Sequence, residues 1–334
     1  MKNIKLLKLA AIFAIASFSS QAMAEKVLKI GTWLPPTHFM NAEVLPTWGK
    51  WIEEATEGRV IVNIENYNGH PKALFDLVQD GVYDSSWSFH GYVPGRFKLT
   101  KIVEIPGLDT SAEAASVAHW RVHQKYLAKA GEHRGLVLAA LFAHAPGQIH
   151  LREPISSLSE LEGKKIRIGG GIQTDIANTF GVKGVTAPAG KVYEMLSQGV
   201  ADGVFFPMGE KNSLRITEIA PFTLKVSKGI YLGSFSLVLN EDFMNSLSQA
   251  DRDAIMSVSG EKLSALAGGT WDKDSAKGEA AAIEFGNTIK IADDAMVKEF
   301  NDKTAHIEKE WIESNSNVDA AAALKELREI ARSY

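Results

Sequence analysis

The chain has 334 residues, with 36 Lys+Arg against 40 Asp+Glu, nine His and no Cys. The lack of cysteine excludes disulfide staples, thiolate catalysis, thiolate zinc sites and a cysteine lipid anchor. A formal charge of −4 without a Lys/Arg-rich block excludes an electrostatically driven nucleic-acid binder.

The first 24 residues read as a secretory signal. Lys2, Lys5 and Lys8 give a cationic start, residues 9–18 an apolar core, and Ala22-Met23-Ala24 a small-residue cleavage site. Cleavage after Ala24 removes three lysines, which takes the balance from −4 to −7. The remaining length suits two domains of ordinary size. No later stretch approaches the ~20 apolar residues of a membrane-spanning helix, so the mature chain is expected to be soluble, not membrane-inserted, and periplasmic.

Strand and helix alternate along the N-terminal part. A strand over 27–31 leads into the loop Thr32-Trp33-Leu34-Pro35-Pro36. Val44, Leu45, Trp48, Trp51, Ile52 and Ala55 recur at helical spacing and stop at Gly58. Alternation over 60–64 predicts a strand with one buried face, followed by a helix over 73–79 and a strand over 84–89. Such units imply a mostly parallel sheet with right-handed crossovers, and ligands of such sheets sit beyond the carboxyl ends of the strands. Trp33 and the segment Trp87-Ser88-Phe89-His90 therefore fall at a candidate cleft.

One long helix is expected over 111–131 and a buried strand over 136–143. A second set then begins near residue 148, with strands at 149–151, 165–168 and 202–207 and helices at 156–161, 174–180 and 192–198. Residues 233–240 resemble a strand returning to the first domain. Beyond residue 249 the pattern is almost wholly helical, with Ile307, Trp311 and Ile312 on one face. The expected architecture is an α/β, two-lobed fold with an interlobe cleft, hinge crossings and long C-terminal helices. Lobe I is drawn from 25–147 plus 236–272, and lobe II from 148–235 plus 273–334.

The strongest local chemistry lies in Lys164-Lys165-Ile166-Arg167-Ile168-Gly169-Gly170-Gly171. A charged residue at a strand end, then glycines and a helix start, makes an anion receptor. Unpaired N–H groups and the helix dipole favour negative charge, with Gly170 among the candidate contacts. Arg167 adds a planar fork that holds a carboxylate through two parallel hydrogen bonds. The ordinary alternative is a surface arginine paired with a neighbouring acid. The glycines fit neither a Walker loop nor a dinucleotide fingerprint. His119 and His123 stand four apart but lack a third ligand, so they read as a surface helix face and not a metal site. Glu53-Glu54 and Asp293-Asp294 are adjacent acids that do not share a helix face.

Through this stretch the chain resembles the solute-binding component of a TRAP (tripartite ATP-independent periplasmic) transporter, dicarboxylate-binding type. The resemblance rests on Leu161-Glu162-Gly163-Lys164-Lys165-Ile166-Arg167, Gly91-Tyr92-Val93-Pro94-Gly95-Arg96-Phe97, Lys191-Val192-Tyr193, Gln198-Gly199-Val200-Ala201-Asp202-Gly203 and Leu237-Val238-Leu239-Asn240. It implies that Arg167 grips a ligand carboxylate in a closing cleft, with no cofactor, and that a membrane permease receives the solute. The sequence departs from the family twice. Many members carry a second arginine about twenty residues upstream, where Ala145-Pro146-Gly147-Gln148 stands, leaving Gln148 as the nearest substitute. An asparagine usual before the family's proline is Phe206 here. Both changes remove capacity for a second ionised group, because a buried carboxylate without a partner costs several kcal/mol. The expected ligand is a monocarboxylate with an apolar or aromatic remainder. A zwitterion resting its cation on Phe206, Trp33 or Trp87, or a sulfonate, is the alternative. A sensory receptor is a rival reading. An enzyme on a similar α/β scaffold is the main rival in class and is disfavoured, because a nucleophile motif, a metal set and a cofactor loop are all missing from the sequence.

Overall fold

The computed structural model describes residues 25–334, so the export signal read over 1–24 lies outside the described residues. The chain runs β1 (Lys26–Thr32), α1 (Leu45–Ala55), β2 (Val60–Asn66), α2 (Leu74–Gln79), β3 (Ser85–Phe89), α3 (Ala112–Val122) and β4 (Leu136–Ala143). It continues through β5 (Gly147–Leu151), β6 (Lys165–Ile168), α4 (Ile172–Thr179), β7 (Lys183–Thr186), α5 (Val192–Ser197), β8 (Gly203–Pro207), α6 (Met208–Ser213) and β9 (Phe222–Lys225). The last part holds β10 (Ser234–Asn240), α7 (Glu241–Asn245), α8 (Gln249–Ser257), α9 (Glu261–Glu284), β11 (Thr288–Ile291), α10 (Asp294–Ser314) and α11 (Ala320–Ser333).

Two sheets form two lobes. The first has the order β2-β1-β3-β10-β4 and the second β11-β9-β5-β8-β6-β7. In the first, β1 pairs in parallel with β2 and β3, while β10 returns antiparallel between β3 and β4. The returning strand expected at 233–240 takes this place, and the first crossing between sheets falls at residues 144–146, between β4 and β5. In the second sheet, β6 pairs in parallel with β7 and β8, and β5 runs antiparallel to β8 and β9.

Helix α9 is the common spine, packing on α3 and β4 of the first lobe and on α6 of the second. Gly268 allows the α3 crossing, since a Cβ there would lie 2.5 Å from the Ala112 carbonyl. The C-terminal α11 returns to pack on α3, and Leu324 and Leu327 share a core with Leu99 and Ala115.

The helix expected over 111–131 is not continuous. It is α-helical only to Val122, passes through a π turn at His123–Leu127 and a 3-10 turn at Ala128–Ala130, and stops at Gly131 with φ 70°. Strands β7 and β9 and helices α6 and α7 appear where the sequence reading placed no element, and β11 interrupts a stretch expected to be helical. His119 and His123 are buried, not on a surface face, and His119 sits in the core with neither ring nitrogen hydrogen-bonded among the described residues.

Candidate functional site

Arg167 is the third residue of β6, paired opposite Val204 of β8 and Val185 of β7. Alternation along β6 sends Ile166 into the second core and aims Arg167 at the gap between the lobes. The side chain is 1% exposed. Its Nε and Nη2 donate to the Ala187 carbonyl at 2.8 and 2.5 Å, and Nη2 lies 3.5 Å from Tyr92 Oη. The guanidinium lies over the Phe206 ring, 4.7 Å from its centroid. Among the described residues none of its hydrogen bonds goes to a carboxylate, and Nη1 keeps both its protons for another acceptor.

The guanidinium opens into a pocket walled by aromatic rings. Trp33, Trp87, Phe89, Phe206, Phe235 and Trp271 all contribute. Trp33 and Trp87 lie 5.0 Å apart between centroids, and Phe89 and Phe235 5.3 Å. Trp33 Nε1 donates to the Trp87 carbonyl and Trp87 Nε1 to Thr32 Oγ1, each at 3.1 Å. With both indole N–H groups engaged inside the protein, the two rings offer the pocket only apolar faces. Phe205 and Phe206 diverge across β8, Phe205 into the second core and Phe206 into the pocket.

The lobes touch around this pocket. Tyr92 Oη accepts the Ala189 N–H at 3.0 Å while standing beside Arg167, so one phenol ties the first lobe to two segments of the second. His38 Nε2 lies 3.0 Å from Glu210 Oε1 across the cleft. Glu104 accepts from Ser234 N–H at 2.9 Å and from Ile172 N–H, the first residue of α4, at 3.0 Å. Burial pushes the Glu104 carboxyl up to about 7.

Glu104 corrects one expectation. The N-terminus of α4, offered by the sequence as an anion receptor, is occupied by this carboxylate of the chain itself. Gly170 is likewise outside the pocket lining, at a cross-lobe approach. Its φ is +97°, and a Cβ there would lie 2.4 Å from the Gly91 carbonyl.

Two more expected contacts lie elsewhere. Gln148 is buried with Oε1 accepting the Val226 N–H at 2.8 Å, so its amide serves the β5–β9 edge. His90 is held between Ser234 and Ser236 by hydrogen bonds of 2.8 and 2.9 Å. The structure therefore brings Arg167, Phe206, Trp33, Trp87 and Phe89 together and leaves Gln148, His90 and Gly170 outside.

Several lining residues escaped the sequence reading: Tyr92, Gln173, His144, Glu210, Phe235 and Trp271. Gln173 receives the Gly169 N–H on Oε1 at 3.0 Å, which leaves its amide N–H₂ as a donor near Arg167. Tyr92 lies in the quoted Gly91–Phe97 segment and was its one signal. The others come from α4, α6, α9, β10 and the crossing after β4, spread from His144 to Trp271, and carry no local motif.

Residues 30–315 match the family model described as bacterial extracellular solute-binding protein, family 7. The outer membrane transporter protein TsaT of Comamonas testosteroni is 30% identical over 313 residues, covering 92% of this chain and 91% of that one. A TRAP periplasmic solute-binding protein of Bordetella bronchiseptica, solved with bound (R)- and (S)-mandelate, is 35% identical. It superposes with a TM-score of 0.88 over 92% of this chain and 99% of its own. A marine metagenome TRAP solute-binding protein specific for aromatic acid ligands, solved with 3-hydroxybenzoate, is 30% identical, with a TM-score of 0.87 over 93% and 99%. Both solved relatives are solute-binding proteins, not enzymes. With the two-lobed fold and the matched length, the chain belongs to family 7 of the bacterial extracellular solute-binding proteins, the organic-acid receptors of TRAP transporters.

Proposed function

We propose that the protein captures a small aromatic monocarboxylate between its lobes, clamps the carboxylate on Arg167, and delivers it to the membrane subunits of a TRAP transporter. The observation that carries this is the state of Arg167: a guanidinium 1% exposed, hydrogen-bonded only to neutral oxygens among the described residues. A buried charge without a counter-charge is costly, and a ligand carboxylate removes that cost. Nη1 of Arg167 and the Gln173 amide are suited to receive its two oxygens, and the Phe206 face supports the cation from behind.

The aromatic remainder follows from the walls, where rings occupy most of the lining. The mandelate and 3-hydroxybenzoate of the two solved relatives fit the same reading. A dicarboxylate is disfavoured because Arg167 is the only cationic side chain lining the pocket among the described residues, and Glu210 lies in the same lining. Closure follows from differential contact. A ligand held by Arg167 and Gln173 of one lobe and by Trp33 and Trp87 of the other favours the closed state.

A thermal-shift panel tests the reading. Benzoate, phenylacetate and mandelate should raise the melting temperature in a saturable way, while succinate and malonate should not. The opposite ranking would replace this reading with a dicarboxylate receptor.

A further inference from the structure

The pocket has a second pole. Glu210, on α6, lines it with its side chain 3% exposed, and its only basic neighbour within salt-bridge distance among the described residues is His38. The Met40 N–H donates to His38 Nδ1 at 3.2 Å, which leaves the proton on Nε2, pointing at Glu210. His38 is therefore a donor there, Ser213 Oγ donates to Glu210 Oε2 at 3.4 Å, and Glu210 keeps lone pairs to spare on its carboxyl oxygens. Behind it, Asp274 of α9 has one buried oxygen without a hydrogen-bond partner. Burial, reinforced by Glu210, lifts the Asp274 carboxyl to about 6.

His144 adds an independent acceptor. It lines the pocket, is 4% exposed, and lies with Nδ1 2.6 Å from the Ala145 carbonyl. The Gly233 N–H also approaches Nδ1, at 3.3 Å, but the far shorter contact with a carbonyl oxygen assigns the proton to Nδ1 and leaves Nε2 as a bare lone pair, without a partner among the described residues. The Trp271 indole N–H is buried without a hydrogen-bond partner among the described residues. The lining thus carries donors, Arg167 and Gln173, and acceptors, Glu210 and His144.

We infer that the natural ligand is bifunctional, with a hydrogen-bond donor besides its carboxylate that is received by Glu210 or His144. This rests on Arg167 as the partner of the carboxylate. A hydroxyl gives its one proton to either acceptor without the desolvation cost of a second ion among aromatic walls. An ammonium would use the same pole, and the experiment separates the two.

The test is calorimetry with matched acids: benzoate and phenylacetate, their ring-hydroxylated and methoxylated forms, mandelate, and 3-(aminomethyl)benzoate. At least one hydroxylated acid should bind about ten-fold or more tighter than its parent, because a site built for a hydroxyl rejects the analogue without it. Methylation of that hydroxyl should abolish the gain, and in Glu210→Gln the ratio of hydroxylated to parent acid should fall towards one. Preference for the aminomethyl acid would uphold the pole and assign its donor to an ammonium. If hydroxylated, methoxylated and parent acids bind alike while all still need Arg167, the pole is wrong and the carboxylate reading stands. If no acid binds, the carboxylate reading fails first. The methoxy comparison uses the unaltered protein, so it decides even if Glu210→Gln does not fold.

Discussion

At the scale of single residues, the site depends on side chains that are buried but not satisfied within the chain. Arg167 holds its fork in place by spending Nε and part of Nη2 on one carbonyl, so the free edge points in a fixed direction. Lysine has the charge but not the fork, and Arg167→Lys should weaken binding of an aromatic acid roughly ten-fold or more by calorimetry. Tyr92 serves two lobes with one oxygen. Tyr92→Phe leaves the Ala189 N–H without its acceptor, at about 1–3 kcal/mol, and should reduce affinity more than it reduces the melting temperature of the unliganded protein. Phe206 is in contact with the guanidinium rather than merely with the cavity. Phe206→Asn should lose ~0.5–2 kcal/mol of support for the cation and weaken the same acid.

At the scale of elements, the glycine turn between β6 and α4 works as a clearance device. Gly170 takes φ +97° and lies against the Gly91 carbonyl of the opposite lobe. Gly170→Ala strains the backbone by about 1–3 kcal/mol and sets a methyl group in the path of closure. Ligand affinity should fall, and the ligand-induced decrease in radius of gyration by small-angle scattering should shrink. An unchanged decrease would place this contact outside the closing motion. The same turn shows where sequence reading succeeds and where it stops. Arg167, the glycines after it and the strands β1, β4, β6, β8 and β10 stand out because alternation or buried runs mark them. Strands β7 and β11 do not, because they are the two edges of the second sheet and Lys183, Gly184 and Thr288 face solvent instead of alternating with a core. The acceptor pole was illegible for another reason. Glu210 and His144 converge only after β8 and the crossing between the sheets bring them together, and His38 completes the pole from more than a hundred residues away. Conversely, the helix-terminus reading failed because Glu104, nearly seventy residues upstream, fills the position that local sequence left open.

At the scale of the whole molecule, burial of neutral imidazoles sets the response to acid. Burial lowers His123 and His144 to about 4 and His133 and His150 to about 3, and holds His90 and His119 well below the usual range. Each folded value lies below the unfolded one, so the unfolded chain takes up more protons between about pH 4 and 6.5, and stability falls as pH drops through that window. Glu104 and Asp274 oppose this, because their raised values mean that the folded state binds their protons more tightly there. Glu132, Asp175 and Asp272 are raised in the same sense and His70 is lowered, but the deeply buried imidazoles outweigh the acids between pH 5 and 7. The melting temperature should fall steeply from pH 7 to pH 5, and unfolding near pH 5 should take up several protons. A flat or rising profile over that range would mean that these imidazoles are not buried and neutral.

The account depends most on Arg167 as the counter-charge of a bound carboxylate, and calorimetry of Arg167→Ala with the tightest-binding aromatic acid tests it most directly. Breaking a buried ion pair costs about 3–5 kcal/mol, so affinity should drop at least about a hundred-fold while circular dichroism reports the same fold. Affinity within about three-fold of the unaltered protein would contradict it, because so small a change is far below the loss of a buried ion pair.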